Sequence, residues 1–204
     1  MSIKNLLENW GISVPNDTEL AEYLCENEMS KIFYIDKLPL TVSKENYKKF
    51  DQVDIFFQEV LERKISKDEF LLIETKYRNF MTKLWLYNKL YVELDVETVN
   101  KNIISDVVDS QYEKYLSSLS DGNQELYPME ILEKEILEFW VQIGVRDAAF
   151  PIFFFEDYQL LLIPTWSCFL AYQNDPSKQQ IVKDIATSEG LFLRKAIEAV
   201  DFKN

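Results

Sequence analysis

The chain contains no histidine, and that absence removes more chemistry than any residue present supplies. Ser-His-Asp and Cys-His nucleophilic catalysis, HExxH zinc chemistry and ExxH di-iron sites all need an imidazole as base or ligand. Glycine is scarce as well, with four residues in 204. No GxxxxGK[ST] loop or GxGxxG turn occurs, so the familiar backbone cradles for nucleotide phosphates are missing. Cysteine is limited to Cys25 and Cys168, far apart and outside any CxxC. A disulfide framework or a zinc site needs more ligands at closer spacing, so both are read as buried thiols. These absences assign no catalytic, cofactor-binding or metal-ligating residue. They leave chemistry by carboxylate, Tyr, Lys, Ser or Cys alone.

With four Gly and six Pro, the chain shows no flexible linker or low-complexity segment that would mark a boundary. No repeat of solenoid length is visible. The 47% hydrophobic content is ample for a substantial core, which predicts one compact domain over residues 1–204. The opening MSIKNLLENWGI lacks the basic start, long apolar middle and small-residue cleavage site of a secretory signal. A cytoplasmic location is the expectation.

The longest apolar stretch lies at residues 150–173. A membrane-spanning helix needs about 20 largely apolar residues, whereas Glu156, Asp157 and Pro164 interrupt this run. Its pieces have the length and the aromatic and branched content of strands. Three are predicted, Pro151 to Phe155, Tyr158 to Ile163 and Trp166 to Tyr172, with reversals at Glu156-Asp157 and Pro164-Thr165. The middle one is apolar on both faces, so it should be central and covered on each side.

Helical spacing governs much of the rest. Asn16 and Glu19 suggest a cap before a short helix, Ile32 to Ile35 a strand, and residues 43–64 an amphipathic helix. Ser66 and Glu69 form a capping-box pattern that opens a long helix to about Tyr91. A further helix is expected from about Asp95 to Leu119, ending at Asp121-Gly122, and the short connection makes the two an antiparallel pair. Pro128 and Gly144 suit the ends of another helix over 128–143. Met129, Leu132, Ile136, Phe139, Trp140 and Ile143 share its main apolar face. Asp175 as cap, Pro176 at the first position and Gly190 beyond the end frame a last helix, and residues 191–200 fit strand or helix. The fold class is α+β: a helix-rich single domain with a small antiparallel β-meander at about 150–173.

Charge points outward. There are 22 Lys and Arg against 35 Asp and Glu, for a formal net charge of −13. The excess is segregated, with six acids against one base in residues 1–30 and nine against two in residues 121–160. Phosphate backbones and anionic lipids are bound by clustered Lys and Arg, so neither nucleic acid nor membrane is an expected partner. A basic protein is, because an acidic face speeds encounter and penalises wrong partners. On the 128–143 helix, Leu137 and Val141 fall among Glu130, Lys134 and Glu138 by 100° steps, with Ile131 beside them. They are either covered by a second layer or exposed inside an acidic rim, the anatomy of a protein interface.

The function class these features favour is a non-enzymatic acidic binding module, a cytoplasmic inhibitor of the immunity or antitoxin type that neutralises a basic partner such as a toxin. The residues assigned to partner binding are Glu130, Glu133, Leu137, Glu138, Val141, Glu156 and Asp157. The alternative is a small enzyme using carboxylates and Tyr in a cleft between sheet and helices. Its candidates are the pairs Glu135/Glu138, Asp106/Asp109 and Glu130/Glu133, each three residues apart. A deep polar pocket with converging acids would favour the enzyme, and a flat or convex acidic surface the binding module.

Overall fold

A computed structural model describes residues 2–15, 17–38, 66–94, 101–116, 128–165 and 168–195. The strands are β1 (Ile32–Asp36), β2 (Leu90–Leu94), β3 (Met129–Glu130), β4 (Pro151–Phe155), β5 (Leu160–Thr165), β6 (Cys168–Gln173) and β7 (Phe192–Lys195). The helices are α1 (Ile3–Leu7), α2 (Leu20–Asn27), α3 (Lys67–Trp85), α4 (Lys101–Val107), α5 (Glu113–Leu116), α6 (Lys134–Val145) and α7 (Gln179–Ser188). The fold is α+β, and no helix of the described residues is long and apolar enough to cross a membrane.

The meander β4-β5-β6 forms as its apolar alternation predicts and becomes the centre of an antiparallel sheet that among the described residues has seven strands, ordered β3-β2-β4-β5-β6-β1-β7. β5 is the middle strand. Its period-2 alternation sends Leu160 and Leu162 to one face and Leu161 and Ile163 to the other, and every one of them is buried. The same parity divides β4, with Phe153 and Phe155 against Phe154, and β6, with Phe169 and Ala171 against Leu170 and Tyr172. The first face packs against α3, α6 and α7, and the second against the N-terminal α1 and α2. Both faces of β6 are therefore core. Helices cover the sheet on both sides.

Several boundaries move, each for a local reason. α3 ends at Trp85, and the chain continues into β2 rather than into more helix. Asn88 donates through Nδ2 to the Leu84 carbonyl at 2.8 Å, closing the helix end. LYVEL then alternates, with Leu90, Val92 and Leu94 buried. A strand thus separates the two expected helices, and the antiparallel helix pair does not form. The 95–119 helix resolves into α4, a 3₁₀ turn at Ser110–Tyr112 and α5, broken where Asp109 is extended; residues 95–100 and 117–119 lie outside the described residues. Residues 128–143 divide between β3 and α6, with Glu133 as the cap. Gly144 lies inside α6 instead of ending it: a Cβ there would come within 2.7 Å of Pro164 Cγ, so the glycine is needed for close helix-to-sheet approach.

Ser66 caps α3 without a side-chain capping bond, so the capping box is absent although the helix starts as expected. α2 begins at Leu20 with Glu19 as its cap, while Asn16 lies outside the described residues. Asp175 accepts from the Ser177 amide but caps a 3₁₀ turn at Pro176–Lys178 that leads into α7, whose own cap is Lys178, while Gly190 adopts φ +71° beyond the helix end as expected. Residues 192–195 are strand. Pro164 and Thr165, the expected reversal, are instead still paired, with Phe169 and Cys168. The expected helix at 43–64, Trp166 and Ser167, and residues 196–200 fall outside the described residues.

Candidate functional site

Leu137 and Val141 are buried, at 0% and 1% exposure, inside the larger core. They are corrected from contact residues to core. The cause is that α6 is enclosed on several sides: it packs on α3 and on β4 and β5, while the 109–116 segment closes over it through an Asp109–Gln142 bond, a Tyr112–Glu138 bond and a Tyr115–Phe139 ring contact. From Phe139 to Gly144 every residue of α6 is buried. Conversely Leu132 and Met129, read as core, are exposed because they precede the helix.

Glu138 also changes role. It accepts from the Tyr112 hydroxyl at 2.8 Å and pairs with Lys134 at 3.2 Å and Arg78 at 3.8 Å. Burial and the adjacent Glu138 carboxylate push the Tyr112 hydroxyl up to about 12. A carboxylate held by two cations and a phenol has little charge left for a partner, so Glu138 leaves the candidate surface.

The other four acids come together at one corner of the sheet. The turn after α3 carries Leu86 and Tyr87, which are 66% and 70% exposed. On one side, Trp85 Nε1 donates to the Ile131 carbonyl at 2.9 Å and the Ile131 amide to the Leu90 carbonyl at 2.9 Å. These bonds place Leu132, 73% exposed, beside the turn. On the other side, the Glu156 amide donates to the Lys89 carbonyl at 3.0 Å, the Lys89 amide to Asp157 Oδ2 at 2.9 Å and the Tyr158 amide to Asn88 Oδ1 at 2.8 Å. Glu130 and Glu133 flank Leu132, while Glu156 and Asp157 adjoin the turn, and all four are exposed. None is ion-paired with a described residue, although Lys114 lies within electrostatic reach of Glu133 and Lys89 belongs to the turn. The site is thus an apolar knob of Leu86, Tyr87 and Leu132 with an acidic border. Sequence reasoning missed Leu86 and Tyr87 by extending the helix through them; Asn88 ahead of the alternating LYVEL was the available signal of a helix end.

Of the three carboxylate pairs named for the catalytic alternative, Glu135/Glu138 lies within one helix and the other two do not. Glu130 lies in a strand and Glu133 caps a helix, so they share no helical face. Asp106 and Asp109 are separated by the end of α4, and Glu135 is exposed beside the neutralised Glu138. Asp109 is bound by Arg146 at 3.0 Å and by Gln142 Nε2 at 2.7 Å. Partial burial pushes its carboxyl up, but these bonds outweigh that effect and hold it below the usual value. Arg146 in turn grips buried Glu74 with two donors, at 2.6 and 3.1 Å, and donates to the Val107 carbonyl. This closed network pins α4 to α3 and α6.

The pocket between α3, α6 and β5–β6, lined by Tyr77, Gly144, Pro164, Thr165 and Cys168 among others, contains about 20 Å³ and has no carboxylate in its lining. That is room for about a single water. Cys25 and Cys168 are half-buried as whole residues, and the thiol of Cys168 is its enclosed part. Burial pushes the Cys168 thiol up to about 12, which keeps it protonated and a poor nucleophile at neutral pH. No group of three or more Cys, Asp or Glu able to hold a metal ion stands together among the described residues. No protein-family model matches the chain, and neither a similar curated protein nor a similar solved structure is found.

Proposed function

We propose that this protein is a non-enzymatic binding module that captures a basic protein, acting as an inhibitor of the immunity or antitoxin type. The observation that carries the reading is the exposed apolar knob Leu86-Tyr87-Leu132 bordered by Glu130, Glu133, Glu156 and Asp157. An aromatic and aliphatic centre with a charged margin is where interfaces concentrate their binding energy. The net charge of −13 favours a cationic partner and discourages phosphate backbones and anionic membranes.

The layer formed by α1 and α2 adds to this field. Its outer surface carries Glu8, Asp17, Glu19, Glu22 and Glu26, all exposed, while Lys4 donates to the carbonyls of Pro15 and Thr18. Long-range steering therefore comes from two regions, and the knob supplies short-range contact.

The test is affinity for a partner purified with the wild-type protein, measured across salt concentrations. The triple change Glu130→Lys, Glu133→Lys and Glu156→Lys should weaken binding at least about tenfold at low salt and flatten the salt dependence. Far-UV circular dichroism should stay unchanged, because all three residues are exposed. Unaltered affinity in that variant would remove this surface from the function.

A further inference from the structure

The way a partner can seat on this corner is constrained by β3, the outermost strand on this side of the sheet among the described residues. Because the Ile131 amide bonds the Leu90 carbonyl, positions 129 and 131 direct their main-chain groups toward β2, and Glu130 directs its own outward. The next outward position is Pro128, which has no N–H to offer. With only two residues in the strand, this edge cannot template an added strand of useful length. Recognition at the corner must run through side chains.

Resting on the binding reading above, we infer that the partner presents an apolar anchor set between Lys or Arg residues on a helix or loop, packing that anchor on Leu86, Tyr87 and Leu132. The cations then face Glu130, Glu133, Glu156 and Asp157. Charge complementarity selects this occupant: an acidic anchor segment would meet four like charges, and a purely cationic one would leave the three apolar side chains in water. Asp157 is partly committed already, since it accepts from the Lys89 amide, so the other three acids carry most of the discrimination.

Two synthetic probes test this on the full chain: a short oligolysine, and an amphipathic Leu/Lys helical peptide of equal charge. Backbone amide signals are followed by NMR at low salt, about 20 mM, where exposed charges are weakly screened. The amphipathic peptide should shift residues 85–90, 130–133 and 156–157 and bind at least about tenfold tighter than oligolysine. The paired change Leu86→Ser and Tyr87→Ser should abolish that advantage while leaving oligolysine binding unchanged. Equal affinity of the two probes, shifts confined to α1 and α2, or an undiminished advantage in the Ser variant would overturn the inference and leave the wider basic-partner reading standing. Failure of both probes to bind anywhere would overturn the two together.

Discussion

Arg146 shows at single-residue scale how much this chain depends on one buried cation. It is buried and holds Glu74, Asp109 and the Val107 carbonyl together. Removing one partner of a buried pair leaves the other charge uncompensated, so Arg146→Ala should destabilise the protein by about 3–5 kcal/mol in urea unfolding. The paired change Arg146→Met with Glu74→Leu should recover most of that loss, which a purely steric role would not predict. Asp109 adds a pH signature. Its folded pKa is depressed, so its contribution is present above the unfolded value and disappears as pH falls through the folded one. Asp109→Asn should remove that portion of the acid dependence of the urea midpoint, leaving the remainder of the profile in place. At Gly144, alanine is the better helix former by about 1 kcal/mol, yet its Cβ would press on Pro164. Gly144→Ala should therefore destabilise by about 1–3 kcal/mol.

At the scale of elements, α6 separates core from surface most sharply. Leu137→Ala should cost about 2–5 kcal/mol, whereas Leu132→Ala should change the urea midpoint by no more than about 0.5 kcal/mol equivalent. The meander was legible because β4, β5 and β6 carry unbroken apolar alternation between turn residues, and Asp175-Pro176 and Gly190 mark α7 through local chemistry. β2 was not legible as a strand, because α3 and LYVEL carry apolar residues continuously through Trp85, Leu86 and Tyr87, and a period of 3.6 absorbs a short period-2 run. β3 is shorter still, and its two residues gain strand geometry only from pairing with β2. The acids of the candidate site were legible as composition. Charge alone puts them in one binding set, but the route by which Glu130 and Glu156 reach one corner, the β3-β2-β4 order of the sheet, was not legible. Glu74 left a fainter trace: it occupies a position on the apolar stripe of α3, beside Phe70, Tyr77, Met81 and Leu84.

For the whole molecule, the sheet is covered on both faces, and among the described residues exposed acids stand at the outer surface of one helical layer and at one sheet corner. Opposite charges hold the inside together, through Arg146 with Glu74 and Arg194 with Asp36. On the proposed reading, the negative excess outside serves encounter with a basic partner. The most direct test of the central claim is site-specific photo-crosslinking in the native host, with the photoreactive residue at position 87 and a control at Leu72, which is also exposed. The account predicts one basic protein captured from position 87, absent from position 72 and lost when Glu130, Glu133 and Glu156 are reversed. A cross-linked partner that is acidic, or capture that is equal from both positions, would contradict it.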